Sequence, residues 1–202
     1  MHYSIKSRNV LDKASLALKE GGIAIIPTDT IFGLVSRAFD RKAVEKVYKV
    51  RGRNPDKPCI ILCSSIEDLT KLRIKTNQAV RTLLFKIWPN PISIILPCPS
   101  KSMAYLHRGT ATLAVRIPKN KKLRDFLKKT GPIIAPSANP EGKPPAKNIK
   151  EARGYFGGQV GIYVNGRVLN KPSTIISLVD GKVRVIRQGG FEVSKKLIAG
   201  IQ

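Results

Sequence analysis

Four stretches of this 202-residue chain carry side chains suited to chemistry. The densest is Lys49-Val50-Arg51-Gly52-Arg53-Asn54-Pro55-Asp56-Lys57-Pro58, with four cations between Lys49 and Lys57. Arginine matches phosphate or carboxylate through two parallel hydrogen bonds, whereas lysine acts as a point charge. Gly52 permits a sharp bend, and Pro55 and Pro58 stiffen it. A helical pattern ends just before this stretch and an apolar run, Cys59–Cys63, follows it. The cations are therefore expected on a loop at the mouth of a strand, although the segment alone reads equally as a solvated basic turn. The second stretch, Pro27-Thr28-Asp29-Thr30, offers hydroxyls and one carboxylate. It suits an amino or hydroxyl ligand, but local turn hydrogen bonds are the simpler reading of that segment by itself. The third is Arg116, an arginine inside the apolar run Thr112–Pro118. It is costly to bury without a partner, so either a buried salt bridge or an anionic ligand is expected there. The fourth is Pro136-Ser137-Ala138-Asn139, where a hydroxyl and an amide two residues apart can face one site.

Composition narrows the chemistry. There are 37 Lys and Arg against 13 Asp and Glu, a net charge of +24. Such an excess implies polyanionic company: nucleic acid, nucleotides or an anionic surface. A proteome-wide adaptation is the other source of such a bias. No apolar run approaches the roughly 20 residues that span a bilayer. Met1–Lys6 carry no signal-peptide core, so a cytoplasmic protein is expected. Cys59, Cys63 and Cys98 sit among apolar neighbours and read as buried, reduced thiols. With only His2 and His107 to join them, they argue against zinc. His107 is expected at the surface, and no Cys-His-Asp triad can be drawn. Neither G-x-x-x-x-G-K-[ST] nor G-x-G-x-x-G occurs, so side-chain cations and turns would have to hold any nucleotide.

The elements that must position these residues follow from periodicity. Helices are expected over 9–20, from an Asp40 cap to about Lys49, over 66–72 after a Ser65 cap, from Asn77 through Ile87, over 120–129 and near 148–156. A short C-terminal helix is expected to close the chain. Strands are expected at 23–26 (buried on both faces), 59–63, 92–96, 112–118, 132–135, 160–164, 173–179 and 183–187. Ile31–Leu34 resumes apolar packing, Trp88-Pro89-Asn90-Pro91 is a stiff break, and Asp180-Gly181 marks a hairpin turn. The alternation indicates an α/β class with a mixed sheet, and no repeat or linker divides residues 1–202. Polar turns follow strands at 27–30, 136–139 and 188–190, where ligands of open α/β sheets sit.

Taken together, the stretches resemble the YrdC-like threonylcarbamoyl-AMP synthase family. The matching pieces are Pro27–Leu34, Arg51–Pro58, Trp88–Pro91, Leu113–Pro118, Ala135–Asn139, and Ser173–Ile176 leading to Arg187. They run in order from about residue 8 to 190. The resemblance implies the single-domain form of the family, a twisted mixed β-sheet with flanking helices and a concave basic groove. It implies that L-threonine and bicarbonate form a carbamate that attacks the α-phosphate of ATP, giving threonylcarbamoyl-AMP and pyrophosphate. A downstream transferase would then pass the threonylcarbamoyl group to tRNA.

Carried over residue by residue, the resemblance implies that Thr30, Arg116 and Ser173 meet threonine, Arg116 through the carboxylate. Arg53, Lys57, Thr112, Ala135, Ser137, Asn139 and Arg187 would line the ATP side. Arg51, Arg53, Ser137 and Asn139 are the implied catalytic group. A crowd of phosphate, carboxylate and carbamate charges needs such a cationic clamp, and no covalent nucleophile is required. Mg2+ held by phosphate oxygens and water is the implied cofactor, with no protein metal site expected. Four positions depart from the family pattern. Arg51 stands for a lysine, Glu141 for a serine, Pro145 for a small hydroxyl residue, and Leu62 for a histidine of some longer members. The alternative from another class is an RNA-binding or assembly module that uses the basic groove without catalysis. Carbamoyl transfer to another acceptor is a third reading.

Overall fold

The computed structural model describes residues 7–194. Seven α-helices occur in this range: α1 (Ser7–Lys19), α2 (Arg41–Arg51), α3 (Asp68–Lys71), α4 (Gln78–Ile87), α5 (Ala104–His107), α6 (Lys121–Thr130) and α7 (Ile149–Phe156). The strands are β1 (Ala24–Pro27), β2 (Phe32–Arg37), β3 (Ile61–Leu62), β4 (Ile92–Pro97), β5 (Thr112–Arg116), β6 (Ile133–Ile134), β7 (Ile162–Tyr163), β8 (Thr174–Ser177) and β9 (Arg184–Arg187). They form one twisted mixed sheet in the order β7-β1-β2-β6-β3-β5-β4-β8-β9. β1/β7, β3/β5 and β4/β8 pair in parallel, and the other neighbours are antiparallel.

Helix starts follow from side-chain caps. Asp40, Asn77, Asn120 and Asn148 accept hydrogen bonds from the backbone N–H groups of Ala43, Val80, Leu123 and Glu151. Each satisfies a donor that a helix leaves free at its first turn. Gly52 ends α2 in the left-handed region, at φ 60°, where its own N–H meets Lys49 O and Tyr48 O.

The pleat sends alternate residues to opposite faces, and the two faces are covered unequally. One carries a core that includes Ile25, Leu34, Ile61, Ile94, Val115, Ile134 and Ile176. It packs against residues of α2, α4 and α7, among them Val44, Val47, Leu84 and Phe156. The other face carries Ala24, Ile26, Val35, Leu62 and Ile133 beneath Ala14 and Leu18 of α1 and Leu123, Phe126 and Leu127 of α6. That second core includes no residue of β4, β5 or β8. The register pairs Leu62 with Arg116, Ala114 with Ile95, and Ser93 with Ile175, so these residues share the thinly covered face. The cover ends where the chemistry begins.

The structure corrects several expectations. The cationic stretch is not all loop: α2 continues through Lys49 and Arg51, and only Gly52 breaks it. Ser65 does not cap the third helix. Instead the Asp68 carboxylate takes both the N–H and the hydroxyl of Ser64, and the helix is confined to Asp68–Lys71. The expected strands at 59–63, 132–135 and 160–164 contract to two residues each, while 31–34 becomes the six-residue β2. α5 lies in a stretch with no legible helical period. His107 is buried rather than at the surface, and its Nδ1 accepts from the N–H groups of Gly109 and Ala111. Its ring organises the turn before β5. All three cysteines are buried and free. The expected C-terminal helix lies outside the described residues.

Gly189 shows how tightly the last hairpin is seated. A Cβ there would lie 2.3 Å from Pro172 O and 2.5 Å from Thr174 N, backbone atoms that cannot step aside. The Gly189 N–H donates to Thr174 Oγ1 at 2.9 Å. Gly189→Ala should therefore push β9 off β8 and destabilise the fold by about 1–3 kcal/mol, the usual cost of overpacking. Urea unfolding should show a lower midpoint with an unchanged slope. A wild-type midpoint would mean that the hairpin is not held this closely.

Candidate functional site

The uncovered face opens into a cleft of about 390 Å³. Its floor is the sheet, presented by Ile95, Thr112, Ala114, Arg116 and Ile175. Its walls are the turns after β1, before β3, after β6 and before β8, through Thr28, Thr30, Arg53, Pro58, Cys59, Ser137, Pro172 and Ser173, with Arg187 at the end of β9. Of the eleven residues that the family resemblance singles out, eight line it: Thr30, Arg53, Thr112, Arg116, Ala135, Ser137, Ser173 and Arg187.

Arg116 ends β5 with its guanidinium 4% exposed. Its Nη2 lies 3.1 Å from Asp29 Oδ1, and its Nη1 donates to Thr30 Oγ1 at 2.9 Å. Both readings of this arginine therefore meet in one place, since the buried salt bridge exists and the same guanidinium faces the cleft. Its Nε has no hydrogen-bond partner. Burial pushes its pKa below the ordinary value and the Asp29 charge works against that shift. Asp29 is held in turn by the Lys119 N–H at 2.9 Å. The Thr28–Ile31 turn is closed by its own hydroxyl: Thr28 Oγ1 donates to Ile31 O at 2.6 Å and lies 3.0 Å from Thr30 Oγ1. Turn-internal bonds and a cleft-facing hydroxyl coexist there.

The opposite wall is built by two arginines with different tasks. Arg53 lines the cleft and is fixed by carbonyls: its Nε donates to Lys57 O at 3.0 Å and its Nη2 to Pro58 O at 2.9 Å. Among the described residues no carboxylate lies within salt-bridge distance of it. Arg51 is buried and does not line the cleft. It donates through Nε to Ser137 O and through Nη2 to Ser137 Oγ, both at 3.0 Å, and to Asn139 Oδ1 at 3.4 Å. Burial, then the Arg53 charge, push its pKa down. Tyr48 fixes the same loop from below, donating its hydroxyl to Lys57 O at 2.8 Å under the guanidinium of Arg108, 4.0 Å from the ring centre.

The remaining residues come from the last hairpin and from β6. Ser173 is buried, 2.9 Å from Ser93 Oγ, and its carbonyl accepts from Arg187 Nη2 at 2.7 Å. Thr112 Oγ1 donates to Thr110 Oγ1 at 3.1 Å. The Ala135 N–H donates to Ile60 O at 2.8 Å, which pins the Ser137 turn to the residue before β3, the strand whose Leu62 pairs with Arg116.

Three singled-out residues stand outside the cleft lining: Arg51, Lys57 and Asn139. Asn139 is buried and donates to Pro140 O and Lys143 O, shaping its own turn. Lys57 is exposed and paired with Glu141 at 2.8 Å. Sequence reasoning missed Asp29 as the counter-ion and Thr110 as a lining residue. Both left a signal. A buried arginine requires a carboxylate, and Asp29 is the one acid on the polar turns that follow strands. Thr112, Ala114 and Arg116 are spaced by two along β5 and face one side, and Thr110 repeats the spacing from the turn before it, across the left-handed Ala111.

The Arg116–Asp29 pair should dominate local stability. Removing one partner of a buried pair leaves an uncompensated charge and costs about 3–5 kcal/mol. Asp29→Asn keeps an acceptor for Lys119 but not the charge, so a loss of about 3 kcal/mol is expected in urea unfolding. Thr30→Val, which removes only a hydroxyl, should cost about 1 kcal/mol. Equal effects would show that the pair's charge does not matter.

Comparison with known proteins agrees with this architecture. The Sua5/YciO/YrdC family profile, described as Telomere recombination, matches residues 16–189. A threonylcarbamoyl-AMP synthase of Bacillus subtilis is 33% identical over 183 residues, 89% of this chain and 53% of that protein. One of Marinobacter nauticus is 31% identical over 166 residues, 80% of this chain and 87% of that protein. The crystal structure of Pyrococcus abyssi Sua5 complexed with L-threonine superposes with a TM-score of 0.87 at 29% identity, covering 99% of this chain and 60% of that one. The chain thus spans about half the length of the Bacillus relative and most of the Marinobacter one. By its sequence match, and by a sheet and cleft built from the residues that carry it, the chain belongs to the Sua5/YciO/YrdC family.

Proposed function

We propose that this protein is an L-threonylcarbamoyladenylate synthase, a nucleotidyltransferase that joins L-threonine, bicarbonate and ATP. The observation that carries the reading is one cleft in which a buried Arg116–Thr30 corner faces Arg53, Ser137 and Arg187. The corner suits the carboxylate and hydroxyl of a small amino acid. The opposite wall offers cations and hydroxyls to a polyphosphate. Names of relatives and the threonine in the P. abyssi complex support the same substrates.

In this reading, bicarbonate and the threonine amine give a carbamate with loss of water. A carbamate oxygen then attacks the α-phosphorus of ATP, the bond to the β-phosphate oxygen breaks, and pyrophosphate leaves. The chain's own contribution is to hold anions together. Arg116 orients the amino acid, Arg53 and Arg187 offset phosphate charge, and Ser137 donates a hydroxyl proton. Ser137 is well placed because Arg51 occupies its lone pair and leaves its O–H free to donate. Asn139 and Arg51 act through Ser137 rather than by touching substrate. Mg2+ would enter as a companion of ATP, because Asp29, the carboxylate beside the cleft, already holds Arg116 and Lys119. When bound it would neutralise phosphate charge. The product would pass to a downstream transferase acting on tRNA in the cytoplasm, and the net charge of +24 favours contact with that RNA. An RNA-binding module without catalysis has no use for the buried Arg116–Thr30 corner.

Pyrophosphate release should require both threonine and bicarbonate. It is measured with each omitted in turn, and equal release without threonine would leave only ordinary ATP hydrolysis.

A second test separates the clamp from bulk charge. Arg53 is one of 37 basic residues, yet it lines the cleft with no carboxylate within salt-bridge distance among the described residues. Hydrogen bonds to charged groups contribute roughly 1.5–3 kcal/mol. Arg53→Ala should therefore lower kcat/KM by about 10- to 200-fold. Lys128→Ala, exposed on α6, should leave it near wild type. Matching activities in two folded variants would remove Arg53 from the reaction.

A further inference from the structure

The contacts around Glu141 point to a role that the family pattern, with serine there, does not supply. One Glu141 oxygen accepts from the Asn54 N–H, and the other lies 2.8 Å from Lys57 Nζ. Its own N–H donates to Arg51 O, the last carbonyl of α2, at 2.9 Å. Glu141 thus grips both ends of the loop that starts at Arg53. That loop is itself one hydrogen-bonded turn, with the Lys57 N–H donating to Asn54 O at 3.2 Å and the Asp56 N–H to Asn54 Oδ1 at 2.8 Å. The carbonyls of Lys57 and Pro58 in this loop fix the Arg53 guanidinium.

We propose that Glu141 is a positioning residue that, with Lys57 as its counter-ion, sets the 53–58 loop so that Arg53 faces the phosphate side of the cleft. A chain of contacts carries the effect. Glu141 seats Asn54 and Lys57, the seated turn aims two carbonyls, and the carbonyls aim the guanidinium. Lys57 is then not a phosphate ligand, because its charge is matched by Glu141 and it does not line the cleft, whereas Arg53 lines the cleft and, among the described residues, has no carboxylate within salt-bridge distance. The hydrogen bond from Lys57, then that from Asn54, hold the Glu141 carboxyl down at about 2, so it is ionised at any working pH. The turn on the other side is locked independently, by Arg51 on Ser137 and Asn139. Glu141 thus ties the 53–58 loop to a turn that is already fixed. This role rests on the synthase reading only for the identity of the phosphate ligand.

The test uses the full chain and two readouts, calorimetric binding of inorganic tripolyphosphate and steady-state turnover. Glu141→Ala should weaken tripolyphosphate binding roughly three- to tenfold, the size of an exposed pair plus one charge-assisted contact. Lys57→Ala should weaken it in the same direction, and the double variant should be no weaker than Glu141→Ala. The KM for ATP should rise in step while kcat and the melting midpoint stay near wild type. In an Arg53→Ala background, Glu141→Ala should change nothing, which a merely structural role would not produce. Asp125→Ala on α6 controls for the change in net charge. Tighter binding by Glu141→Ala would overturn the proposal and make Glu141 a competitor of phosphate for Lys57. Unchanged binding, or an effect that survives without Arg53, would overturn it too. If the wild type binds tripolyphosphate with this pattern but releases no pyrophosphate, the synthase reading fails and the positioning role stands. If the wild type does not bind tripolyphosphate, the positioning role fails whatever turnover shows.

Discussion

A guanidinium buried at the end of β5 sets the conditions for the rest of the site. Arg116 could not sit there alone, because moving a charge out of water without compensation costs several kcal/mol. Asp29 supplies the opposite charge from the turn after β1, and Thr30 supplies an acceptor from the same turn. The turn therefore cannot wander from β5, although three strands, β2, β6 and β3, separate β1 from β5 in the sheet. One electrostatic contact thus closes the floor of the cleft against its wall. It also explains why α1 and α6 stop short. A helix laid across β5 would close the cleft whose floor Arg116 lines.

The other arginines show that identical side chains take opposite tasks when their acceptors differ. Arg51 donates through Nε and Nη2 to neutral oxygens of Ser137 and Asn139, and its charge lies beneath the loop. Arg53, two residues on, is aimed by carbonyls and keeps its charge towards the cleft. Gly52 makes the separation geometric, since its left-handed backbone turns the chain between them. A lysine at position 51 has three donors at a single point and could not reach Ser137 O, Ser137 Oγ and Asn139 Oδ1 as a planar fork does. The departure from the family pattern at Arg51 is matched by its use as a cross-link between loops.

Much of this was legible in the sequence because the governing forces are local. The Asp40 and Asn77 caps, the Asp180-Gly181 hairpin, the apolar runs and the burial of the cysteines follow from propensity and pattern. Residues such as Thr30, Arg53 and Arg187 were found through ordered short motifs, and the cleft gathers them. What failed to show depends on partners distant in sequence. Nothing near residue 51 indicates that Ser137, 86 residues later, will pull Arg51 into the interior. His107 looked like a surface residue because its acceptor role appears only once the 107–111 turn has folded around it. The short strands at 61–62 and 133–134 were overextended, because apolar runs report burial and not ladder length.

The cleft also carries a cost that only a ligand can lift. Arg53, Arg116 and Arg187 converge on one volume, with Asp29 as the carboxylate that opposes them there. Like charges held this close repel, and partial exclusion of water strengthens the repulsion. The fold tolerates it because each guanidinium is fixed by carbonyls or hydroxyls of its own wall: Arg53 by residues 57 and 58, Arg116 by Thr30, and Arg187 by Ser173. A polyanion entering the cleft replaces repulsion with attraction and needs little rearrangement of the donors, which is the physical content of preorganisation. Anything that binds the folded chain in this way also stabilises it, by an amount set by its concentration relative to its Kd. Rigidity of the walls and electrostatic tension between them are therefore two aspects of one design, in which the scaffold holds cations apart from solvent and leaves their neutralisation to the substrate.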